Sequence, residues 1–89
     1  MERPEYQQAL DQLSGAAQLV ASGVDEDQRA QAFEMVAFFR LLKGRVGMAA
    51  TSDDELFRDT AIAALTMAGR KEFLAAAALL EQARGLLRQ

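Results

Sequence analysis

Residues 43–55 read KGRVGMAATSDDE, and the fold turns on whether this stretch is a loop built for a ligand or a joint between helices. Gly44 and Gly47 stand three apart, with Lys43 and Arg45 beside them. Ser52 to Glu55 form a Ser-x-x-Glu helix start, in which the serine hydroxyl accepts from the amide three residues on while the glutamate reaches back. Read as a joint, the stretch ends one helix at its glycines and opens another at Ser52.

The residues on either side favour the joint. Upstream, residues 34–43, EMVAFFRLLK, hold apolar side chains at helical spacing, and a helix from Asp25, a capping residue, runs to Lys43. Downstream, Phe57, Ala61, Ala64, Leu65 and Ala68 recur at three and four residues. Earlier still, Pro4 suits the first turn of a helix, with Glu2 and Glu5 at the positive end of its dipole. Tyr6, Leu10, Leu13, Ala17, Val20 and Val24 form its apolar stripe. Gly15 within that stripe suggests a close helix crossing, and Gly23 reads as a left-handed cap. After Gly69, Arg70 and Lys71, a last helix carries Phe73, Ala76, Ala77, Leu80, Ala83 and Leu87. No segment alternates in the manner of a strand, and alanine and leucine far outnumber the β-branched residues. The expected class is all-α: a single domain over 1–89, with helices over 4–22, 26–43, 53–68 and 70–88. Two antiparallel hairpins, first with second and third with fourth, build a four-helix bundle.

Composition limits what such a bundle can do. With no cysteine and no histidine among 89 residues, there is neither disulfide nor zinc site, and the commonest general base and thiol nucleophile are missing. A packed core must supply all the stability, about 5 to 13 kcal/mol at roughly 0.05 to 0.15 kcal/mol per residue. No catalytic role and no cofactor is expected. The two acidic clusters, Asp25 to Asp27 and Asp53 to Asp59, fall at helix starts, where the dipole already favours acids. No apolar run reaches the roughly 20 residues of a membrane span, and MERPEYQQAL lacks the basic start and apolar run of a signal peptide. A cytoplasmic setting is the expectation.

A formal charge of −3 disfavours a nucleic-acid binder, which needs a basic face to displace the phosphates' counterions. The charge is unevenly spread: residues 1–39 hold seven acids against Arg3 and Arg29, and residues 40–89 hold eight bases against six acids. The remaining route to an anion site is basic residues near the two turns, Lys43 and Arg45 at one and Arg70 and Lys71 at the other. GRVG at 44–47 resembles the glycine clamp that KH-type binders of single-stranded nucleic acid hold between two helices. That clamp belongs to a fold with a three-stranded sheet, which this chain does not encode. The Gly-Lys-Ser/Thr ending of a phosphate loop is absent as well, and Asp53 and Asp54 would repel an anion at the next helix start. Phe73, Ala76, Leu80 and Ala83 resemble the small-and-large spacing of the second helix of a tetratricopeptide repeat. Residues 1–43 do not repeat that spacing, so the resemblance assigns no family.

The strongest functional signal is the second half of the second helix. At 100° per residue, Phe33, Met35, Val36, Phe38, Phe39, Leu41 and Leu42 spread around the whole axis. Such a helix must be enclosed by its own chain or covered by another molecule. The expectation is a homodimeric protein-interaction module that acts as subunit, adaptor or regulator through an apolar face of this helix, its partner a second copy or another protein. Its anchors would be Phe33, Met35, Phe38, Phe39 and Leu42, with Arg40 and Lys43 as rim charges. The alternative is a nucleic-acid or nucleotide-anion binder using Lys43, Arg45, Arg70 and Lys71.

Overall fold

A computed structural model describes residues 1–44 and 51–87. Four helices follow one another: α1 (Arg3–Gly23), α2 (Glu26–Gly44), α3 (Asp54–Gly69) and α4 (Phe73–Leu86). The expected bundle and its bounds are observed, to within three residues at each helix end. Val46 and Met48, expected to pack beneath the bundle end, lie outside the described residues.

Side-chain pairs fix the helix directions. Tyr6 stacks on Phe57 with ring centroids 6.0 Å apart, and Glu5 meets Arg58 at 2.9 Å, so α1 and α3 lie side by side with their starts together. Lys43 pairs with Asp11, and Arg29 donates to the carbonyl oxygens of Ala21 and Val24, so α2 returns antiparallel along α1. The Thr60 hydroxyl accepts from Gln82 and donates to the Leu56 carbonyl, linking α3 to an antiparallel α4. These ion pairs are exposed and contribute at most about 1 kcal/mol each.

The core is built on α1. Its buried residues, Ala9, Leu10, Leu13, Ala16, Ala17, Val20 and Ala21, make a stripe broad enough to meet all three other helices. The main interfaces are α1 with α2, α1 with α3 and α3 with α4, and a smaller one joins α1 to α4. The α2–α4 seam, which a square bundle would close, is absent from these interfaces. Alanines explain the shear: Ala76 and Ala83 of α4 are fully buried, and small side chains let α4 slide over α1.

Several local details differ from expectation. Helix α1 does not end on a left-handed glycine: no glycine among the described residues has a positive φ, and the cap is extended Val24. Gly23 serves another purpose, because a Cβ there would lie 2.2 Å from two ring atoms of Phe73. The left-handed residue is Lys71, at φ 62°. It turns the chain over residues 70–72, whose amides bond back to the carbonyls of Thr66, Met67 and Ala68. Consequently α4 starts at Phe73 rather than at residue 70.

At the head of α3 the cap is Asp53, whose Oδ1 accepts from the Leu56 amide at 3.0 Å. Ser52 is diverted from the expected capping box because its amide donates to the Leu86 carbonyl at 2.8 Å, beside an isolated antiparallel bridge between Thr51 and Leu87. Asp54 accepts from the Met1 ammonium and from the Thr51 hydroxyl. The hydrogen bond from the ammonium, followed by that from Thr51, holds its carboxyl below the usual carboxylate range. Burial pushes the Tyr6 hydroxyl up.

Candidate functional site

Helix α2 resolves the apolar surround of its sequence into three sides. Ala32, Met35, Val36 and Phe39 recur at three and four residues and are buried against the core. Phe38 and Leu42 stand next to this stripe and are half-buried. Phe38 meets Phe39 edge-on at 5.3 Å, and the Arg84 guanidinium of α4 sits 5.0 Å above its ring, a contact worth about 0.5 to 1 kcal/mol at an exposed site. On the far side, Ala30, Phe33, Ala37 and Leu41 fall within about 80° of arc. All four are exposed, Phe33 at 55% and Leu41 at 65%. Glu34 and Arg40 flank them.

Five anchors expected of one surface are therefore divided. Met35 and Phe39 belong to the core, with Phe39 wholly inaccessible. Phe38 and Leu42 face the α4 side, and Phe33 alone points outward. Arg40 is exposed, and Lys43 is held by Asp11. Leu41 completes the outer stripe but was not among the expected anchors. Its position four residues beyond Ala37 and eight beyond Phe33 was the available signal.

A second feature follows from the open seam. Between α2 and α4 runs a cleft of about 150 Å³, floored by Val20 of α1 and its cap Val24 and walled by Ala32, Met35, Phe73 and Leu80. Gln28, Gln31 and Glu81 mark its polar rim. Leu74, at the edge, is 76% exposed. The cleft joins residues from three helices and has no sequence motif. Leu74 was legible in principle, because it falls outside the spacing of Ala76, Leu80 and Ala83.

The basic residues considered for an anion do not form one patch. Lys71 lies near Val24 and Asp25, at the start of α2, while Lys43 is near the other end of that helix in a molecule 35 Å long. Arg70 approaches Glu72 at 3.7 Å, and Arg45 lies outside the described residues. Among the described residues no three His, Cys, Asp or Glu side chains gather as metal ligands would. Among the described residues no helix is long and apolar enough to cross a membrane.

The fold and its surfaces define a class: a small four-helix bundle built on α1, with an apolar stripe exposed along α2 and an open seam between α2 and α4. No protein family, curated protein or solved structure matches the chain.

Proposed function

We propose that this protein is a non-enzymatic protein-binding module of the cytoplasm, a subunit, adaptor or regulator that presents the outer side of α2 to another polypeptide. The observation that carries this reading is the exposure of Phe33 and Leu41 opposite the stripe that already satisfies the bundle. A surface helix needs one apolar stripe, and α2 has two. Contiguous exposed apolar surface marks a contact site, whereas the exposed Leu19, Leu56, Ile62 and Leu74 are divided among the three other helices. Phe33 supplies the aromatic anchor typical of interface centres, and Arg40 the rim charge. An interface of standard size would cover about 800 Å² of each partner.

The test is a Phe33→Glu/Leu41→Glu variant. Both side chains are already in water, so helical circular dichroism and thermal midpoint should stay close to those of the parent. Association, followed by sedimentation at micromolar concentration and by capture of interacting proteins, should be lost. A parent chain that sediments at 9.7 kDa and captures nothing that the variant does not would end the proposal.

A further inference from the structure

We infer that the outer side of α2 pairs with a second copy of this chain, the two α2 helices running antiparallel about a twofold axis at Phe33. The inference rests on the reading of that side as a binding surface and adds to it the partner, the direction and the register.

Glu26, Phe33 and Arg40 are spaced seven residues apart, which returns a helix to within about 20° of the same direction. They lie on one line along α2, and all three are exposed. Among the described residues neither Glu26 nor Arg40 has an ion-pair partner. Of the other basic residues near this side, Arg29 is turned away onto the carbonyls that end α1, and Lys71 stands beside Val24 and Asp25 off the start of the helix. The line therefore reads acid, aromatic, base, with each charge about 10.5 Å from the ring along the axis.

A twofold axis through Phe33 and perpendicular to the helix brings the Arg40 of one copy opposite Glu26 of the other, and the reverse. Two reciprocal ion pairs then flank an aromatic contact at the centre. Parallel pairing would set Glu26 against Glu26 and Arg40 against Arg40, so the same charges that favour one direction oppose the other. Ala30, Ala37 and Gly44 run beside the line and are exposed. Their small size lets the two axes approach closely enough for Phe33 to be covered. A twofold contact needs one surface that complements itself, and the charge order of this line does so.

Charge reversal tests the register. Glu26→Arg and Arg40→Glu should each weaken self-association about tenfold or more, because two attractive pairs become repulsive. The double variant Glu26→Arg/Arg40→Glu should restore it. An equimolar mixture of the two single variants should form heterodimers in preference to either homodimer, read by native mass spectrometry with one variant isotopically labelled. Circular dichroism checks that each variant is folded. Single variants that associate as tightly as the parent, or a mixture without preferred heterodimers, overturn the inference. If Phe33→Glu still abolishes association in that case, α2 remains the binding surface and only the register is discarded. A parent chain that stays monomeric yet binds a foreign protein through Phe33 and Leu41 overturns the self-pairing and leaves the wider reading standing.

Discussion

Replacing Phe39 with alanine should destabilise the protein by about 3 to 5 kcal/mol, the range for emptying a buried aromatic site. Replacing its neighbour Phe38 should cost less, about 2 to 3 kcal/mol, the share of a partly buried ring and its cation–π contact. Phe39 is completely inaccessible, and it is one of the two largest fully buried side chains, with Phe57. Against a total of about 5 to 13 kcal/mol, its loss removes a large fraction of the stability. The Phe38 ring rests edge-on against Phe39 and beneath Arg84 and stays partly exposed. Urea unfolding, with midpoint and slope measured for both variants, separates them. Equal losses would mean that the α4 side of α2 is closed and that the open seam is wrong.

The second large effect is expected at Gly23. The backbone there is helical with negative φ, so alanine suits its conformation, and by helix propensity alone Gly23→Ala would gain up to about 1 kcal/mol. The new Cβ would fall 2.2 Å from the far end of the Phe73 ring, which must turn aside toward the cleft it lines, so Gly23→Ala should forfeit that gain and fall about 1 kcal/mol or more below it. Gly15 is the control: the nearest atom to a Cβ there is Leu65 Cδ1 at 3.8 Å, an ordinary contact, so Gly15→Ala should stabilise. In a Phe73→Ala background the Gly23→Ala penalty should disappear, giving a coupling that a double-mutant cycle reads from thermal midpoints. A Gly23→Ala variant as stable as Gly15→Ala would show that the ring does not sit over the end of α1.

Much of the fold could be read from local pattern, since the stripes on α1, α3 and α4 are single and each names the face that packs. Helix α2 could not be read this way. With apolar residues on every side, spacing alone gave no means of choosing between Phe33 and Phe39, and the choice was made by which side α1 covers. The remaining differences are likewise long-range. Ser52 is drawn from its capping role by a carbonyl 34 residues away, and Gly23 is required by a ring 50 positions further along the chain. Where the pairing was local, as at Pro4 and the first turn of α1, expectation and structure agree. The left-handed residue at the α3–α4 turn is the exception among local features, because Lys71 takes a conformation that glycine adopts more easily.

The single main interface of α2 also sets how the molecule breathes. α1 and α3 each share main interfaces with two helices, and α4 adds a smaller contact with α1 to its main one with α3, whereas the extensive contact of α2 is with α1 alone, helped by Phe38 beneath Arg84. Local opening follows such boundaries, since a unit held on one side can detach while the rest stays folded. In native-state hydrogen exchange, the amides of α2 should open at a free energy below that of α1 and α3, and together as one unit. The helix that offers its outer side to a partner is then the one whose ordering a partner can change, so binding there should slow exchange along the whole of α2, including the amides of buried Met35 and Phe39 that no partner could touch.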